Sequence, residues 1–216
     1  MKESTHREQI LTKVRNALIE KTENPYTDID LTSDVLQKLD ESEGLEIIFA
    51  NELLAVGGQF IYCENEKYFI DDLKTLMEQK GWSSIWCVSE KVSSVLTAGR
   101  IPHHSDVMED SAGEVVGLTS CEQLIARTGS IVVSDANSGS RSAYAYPDVH
   151  LVLAYTSQVV PSNKAAFQEL KTKYTDGLPS QITIITGASR TADIEKTLVM
   201  GAHGPKELFV FLIDDL

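Results

Sequence analysis

Three stretches of the chain carry residue types able to bind an anion or move a proton. In ITIITGASRTADIE a run of β-branched residues, Ile182 to Ile185, leads into Gly187, Ala188, Ser189, Arg190 and Thr191. A strand that ends in glycine and hands over to Ser and Thr at a helix start leaves backbone N–H groups unpaired beneath the positive end of a helix dipole. Arg190 would add a two-pronged donor, and Asp193 falls in the first helical turn, where an acidic side chain suits the dipole. The same spacing also fits a plain turn with Thr191 as N-cap.

The second stretch is TGSIVVSDANSGSRSAYAYPDVH. Thr128 and Gly129 precede a strand, and Gly139, Ser140, Arg141 and Ser142 follow it in a polar loop. Small residues let a backbone approach a ligand closely, and Arg141 is the one cation among acidic and neutral neighbours. A flexible polar loop with a solvated Arg is the competing reading. The third stretch, MGAHGPKEL, sets His203 before Gly204-Pro205 at the start of a strand, where its ring is either an acid/base group or a cap on the turn.

These residues need a scaffold, and the periodicities describe one. Amphipathic spacing of Ile10, Val14, Ala17 and Leu18 predicts a helix over residues 6–21. Further helices are expected over 31–39, 44–56, 68–80, 90–98 and 163–174, a short one after Thr119-Ser120, and one through TADIE. QFIYCEN, SSIWCVS, EVVGL, SIVVS, VHLVLAY, QITIITG and ELFVFLI read as strands. Continuous apolar strands alternating with helices imply a three-layer α/β/α fold with a mostly parallel sheet. We divide the chain into an N-terminal helical extension, residues 1–42, and an α/β domain, residues 43–216.

Bulk properties narrow the partners. A 216-residue chain with 42% hydrophobic and 24% charged residues is globular, and its net charge of -13 disfavours nucleic acid and anionic lipid. Cys63, Cys87 and Cys121 are too scattered for a zinc or iron-sulfur signature and read as reduced, structural thiols, with Cys63 and Cys87 buried in apolar runs. The charged N-terminus and the lack of any apolar run of roughly 18 residues predict no membrane span and a cytoplasmic protein. His103 and His104, adjacent rather than at ligand spacing, read as a surface pair. Nucleotide P-loop, dinucleotide-binding, zinc-protease and serine-hydrolase signatures are missing.

Together, RTGSIVVSD, SRSAYAYPDVHLVLAY and GASRTADIEKTLVMGAHGPKELFVFLI resemble the LUD domain family, most closely its lactate utilization protein C branch (LutC/YkgG). The resemblance implies a fold like that of the NagB/RpiA/CoA-transferase group. It also implies a subunit of a system that oxidises L-lactate to pyruvate, whose partner proteins carry the iron-sulfur clusters; no cofactor is expected in this chain. The expected ligand is a small anionic metabolite in a pocket shared by Arg141, Ser189, Arg190, Thr191 and His203, with His203 taking a hydroxyl proton. Thr128, Gly129, Ser142, Gly187, Asp193 and Gly204 complete the set. The competing reading is an independent binder or enzyme for a phosphorylated, CoA-type or folate-type ligand, and the N-terminal helix is a candidate homo-oligomer or partner interface.

Overall fold

The computed structural model describes residues 5–19, 39–40, 42–106, 114–191 and 199–215. It divides into a unit ending at Lys38 and a unit from Leu39 onward. In the first, helix α1 (His6–Ile19) starts with a reciprocal cap: Thr5 N–H donates to the Glu8 carboxylate at 2.8 Å, and Glu8 N–H to Thr5 Oγ1 at 3.4 Å. The helix expected over 31–39 lies, but for Leu39, outside the described residues.

In the second unit, α2 (Leu45–Ala55), β1 (Gln59–Cys63) and α3 (Glu66–Lys80) follow in order. The Asn65 side chain accepts from the N–H groups of Lys67 and Tyr68, and Gly81 ends α3 in the left-handed conformation. Phe69, Leu73 and Met77, one turn apart, are its buried stripe. Then come β2 (Ile85–Trp86), α4 (Glu90–Ala98), β3 (His103–His104), β4 (Val116–Ser120), β5 (Gln123–Ile125), β6 (Ser130–Ser134) and the single turn α5 (Asp135–Ser138). The chain ends with β7 (Val149–Tyr155), β8 (Val159–Val160), α6 (Asn163–Lys173), β9 (Ile182–Ile185), β10 (Arg190–Thr191), β11 (Val199–Met200) and β12 (Glu207–Ile213).

The central sheet has the order β1-β12-β7-β4-β2-β3 and every pairing in it is parallel. Its strands are apolar on both faces because both are covered. Val149, Leu151 and Leu153 of β7, with Phe209 and Phe211 of β12, pack on α3 and α4. Val152 and Ala154, with Leu208, Val210 and Leu212, pack on α2 and on a second sheet. The three-layer α/β architecture is the one expected.

The second sheet, β8-β5-β6-β9, departs from the expectation of one sheet. QITIITG forms β9, antiparallel to β6, and stays out of the parallel sheet. Where a helix was expected after Thr119-Ser120, the chain makes strand β5. Gln123, Leu124 and Ile125 are all buried, Leu124 towards α2 and the central sheet and Ile125 towards Ala166 and Leu170 of α6, so a strand buried on both faces shows no period. His103 and His104 are half-buried strand residues rather than a surface pair. His103 bridges Ser93 Oγ at 2.8 Å and the Ile101 carbonyl at 2.9 Å.

Candidate functional site

The first and third of the chemistry-bearing stretches meet the Thr128-Gly129 end of the second beside the C-terminal end of α2. Gly129 (φ 58°) lies where a Cβ would come within 2.2 Å of the Leu53 nitrogen, and Gly187 (φ 80°) where one would come within 2.3 Å of the Val56 carbonyl oxygen. Only glycine permits both the backbone angle and the approach. Arg190 Nη2 then donates to that Val56 carbonyl at 2.6 Å. A guanidinium at the end of a helix suits the negative pole of its dipole. The carbonyl is neutral, so the cation keeps its charge. Beside this, Ser130 Oγ links Thr128 Oγ1 at 2.7 Å and Thr186 Oγ1 at 2.8 Å in a chain of hydroxyls.

The GAHGP loop is tied to the same turn. Ser189 N–H donates to the Pro205 carbonyl at 2.8 Å, and Gly201 N–H donates to the Ser189 carbonyl at 2.9 Å. Gly204 faces Ser189 Cβ, and Arg190 and Thr191 pair with Met200 and Val199. His203 is exposed in this loop. Thr191 is therefore a strand residue rather than the helix N-cap expected of it: the pairing with β11 takes its backbone. Asp193 and the TADIE helix beyond Thr191 lie outside the described residues.

Arg141 is elsewhere. In the antiparallel β6–β9 pair, Ile131 faces Ile185 and Ser134 faces Ile182, so the hydroxyl chain stands at one end of the pair and Asp135 at the other. At that far end Arg141 Nη2 lies 3.3 Å from Asp135 Oδ2 and also donates to Ser180 Oγ. Ser180 hydroxyl donation, with Gln181 N–H and Arg141 adding to it, holds the Asp135 carboxyl below the usual carboxylate range. Ser142 bonds to Ser140 Oγ. The single pocket expected around both arginines is not formed, because the length of β6 and β9 separates them.

Several buried polar groups gave no signal in the sequence. The Glu122 side chain is fully buried and accepts from Ser134 Oγ at 2.5 Å, Tyr174 at 2.7 Å and Lys173 at 2.6 Å. Its only sequence cue is a carboxylate inside SCEQLIA, between residues that turn out to be buried. His150, fully buried on β7, meets Thr119 Oγ1 at 2.8 Å through Nε2, while Nδ1 has no partner among the described residues. Burial pushes its imidazole down to about 3. Burial likewise pushes the thiols up, to about 12 at Cys63 and about 11 at Cys87, so these cysteines behave as small apolar residues. Among the described residues no three or more His, Cys, Asp or Glu side chains gather as a metal site, and no helix is long and apolar enough to cross a membrane.

Lactate utilization protein C of Bacillus licheniformis is 33% identical over 102 residues, 46% of this chain and 42% of that protein. The match thus spans less than half of that relative's length. Lactate utilization protein C of Exiguobacterium sp. is 27% identical over 193 residues, covering 85% of this chain and 83% of its own. A DUF162 family protein from Deinococcus radiodurans, known from its crystal structure, has the same fold with a TM-score of 0.57 at 17% identity, over 82% of this chain and 99% of its own. The LUD domain profile matches residues 102–213, which include Gly129, Gly187, Arg190 and His203, and the chain belongs to the LUD domain family.

Proposed function

We propose that this protein serves lactate utilization and seats a small carboxylate, L-lactate or pyruvate, at Arg190. The relatives' name supports the pathway, and one structural observation carries the site: Arg190 is pinned through Nη2 to the neutral Val56 carbonyl, with no carboxylate paired to it among the described residues. A guanidinium fixed along one edge and still charged is preorganised for two-point capture of a carboxylate along another. His203, in the loop docked on Ser189, is the group proposed to handle the hydroxyl proton. Oxidation of lactate to pyruvate releases two electrons and two protons, one from the hydroxyl and one from Cα; iron-sulfur partner proteins would accept the electrons, and the Cα proton would pass to water.

Calorimetric titration with L-lactate tests this. Binding by the wild type and by Arg141→Gln, and loss of about tenfold or more in affinity in Arg190→Gln, is the expected pattern. Equal binding by wild type and Arg190→Gln would remove the seat. Co-purification with iron-sulfur proteins and lactate-oxidising activity would then test the assembly.

A further inference from the structure

Helix α2, LEIIFANELLA, is apolar on nearly every side: Glu46, Asn51 and Glu52 are its only polar residues. A helix of this composition is ordinarily buried all round. Phe49 and Leu53 meet that expectation at the core, with Leu45 and Ile48 packed beside them. Ile47 and Leu54, two turns apart on one side of the helix, do not: they are 52% and 55% exposed, and Ala55 is exposed next to them. Large apolar side chains left on one helix face and rimmed by polar residues mark an interaction surface.

Helix α1 carries a matching face. Ile10, Leu11, Val14 and Leu18 fall on one side at helical spacing, and all four are exposed. The helical angles put Lys13 and Arg15 on either side of this stripe, and put Glu46 and Glu52 on either side of the α2 face. Two α2 faces brought together would set glutamate against glutamate, and two α1 faces cation against cation. Only α1 on α2 sets opposite charges along the margins of an apolar contact. Arg7, Lys13 and Arg15 outnumber Glu8, so α1 is a basic helix in a chain whose net charge is -13. With 14 and 11 residues, the helices are about 21 Å and about 16 Å long, so α1 can cover the whole of α2.

We propose that the chain forms a two-fold dimer in which α1 of each copy lies along the exposed face of α2 of the other. Two-fold symmetry makes the contact twice, and both apolar faces of both copies leave water. The charged margins choose the pairing, and salt weakens it by screening them. The dimer does not rest on the Arg190 reading.

Sedimentation equilibrium of the full-length chain tests this. The wild type should have the mass of a dimer. The Val14→Glu, Leu18→Glu double variant and the Ile47→Glu, Leu54→Glu double variant should each be monomeric, with the circular dichroism of the wild type because the substituted side chains are exposed in the single chain. Mixed in equal amounts, the two variants should recover a dimer, since one intact α1 still meets one intact α2, with a dissociation constant about tenfold or more above that of the wild type. A gentler pair leaves the apolar faces alone: Glu46→Lys with Glu52→Lys should loosen the dimer several-fold, and adding Lys13→Glu with Arg15→Glu to the same chain should restore it. A monomeric wild type would overturn the proposal and leave α1 to its own chain or to another protein. A dimer unmoved by either apolar double variant, or a mixture that stays monomeric, would overturn it as well.

Discussion

Arg190 and Arg141 look alike in the sequence, each beside serine in a glycine-containing loop, and the fold treats them oppositely. Arg190 is held by a backbone carbonyl, and Arg141 by the Asp135 carboxylate. A carbonyl orients a guanidinium without neutralising it, whereas a carboxylate supplies the very group a ligand would bring. What makes one arginine a receptor and the other a fastener is the charge of its neighbour.

The two ends also differ in how tightly backbone meets backbone, and the largest predicted effect follows from this. In Gly129→Ala the new Cβ would collide with the Leu53 nitrogen and the Glu52 carbon, both backbone atoms of α2, at a positive φ. We expect a loss of about 4 kcal/mol or more in urea unfolding, enough to threaten folding. Gly139→Ala, near the Arg141 end, meets its neighbours at 3.2 Å or more and should cost about 1 kcal/mol. Equal costs would mean that the α2 junction yields more easily than its geometry indicates.

Acid gives a second contrast. His150 is neutral in the fold, its imidazole pushed down to about 3 by burial, but titrates near 6.5 once unfolded. The unfolded chain therefore takes up the proton first. The stabilising contribution is intact above about pH 6.5 and is lost as pH falls towards 3. By pH 4 this should amount to about 3 kcal/mol, and His150→Gln should flatten the profile. Asp135, held low by Ser180, keeps its charge through most of that window, so the Arg141 end should be insensitive where the sheet core is not. Amide exchange measured from pH 7 to 4 would separate the two.

How much of this could be read from residue order depends on the distance over which each feature is determined. Helix α3 was legible because Phe69, Leu73 and Met77 recur every turn before Gly81, and β7 and β12 because their apolar runs are unbroken. Strand β5 was not, since three residues buried on both sides carry no period. The joining of GASRT to GAHGP agrees with their reading as parts of one motif. The partner of Arg190 was beyond reach, because Val56 is 134 residues away and nothing local says that a backbone carbonyl will meet the guanidinium. Asp135 lies only six residues before Arg141, but the fold that brings Ser180, 39 residues on, to the same pair was not legible.

Ligand binding tests the contrast next. Arg190→Gln should lose about tenfold or more in L-lactate affinity and Arg141→Gln almost none, since only the first removes an unneutralised cation.

The smallest effect is the most pointed. Asp135→Asn keeps an oxygen acceptor for the Gln181 N–H but deletes the charge that engages Arg141. Because the Arg141 side chain is 60% exposed, the pair is largely screened by water and its loss should alter stability little. The informative reading is binding. If neutralisation by Asp135 is what silences Arg141, the Asp135→Asn and Arg190→Gln double variant should regain weak carboxylate binding that Arg190→Gln alone lacks. A double variant that binds no better would mean that charge is necessary but insufficient. The decisive difference between the two ends would then be the rigid seat that Gly187 and the Val56 carbonyl build around Arg190, for which the Arg141 end has no counterpart among the described residues.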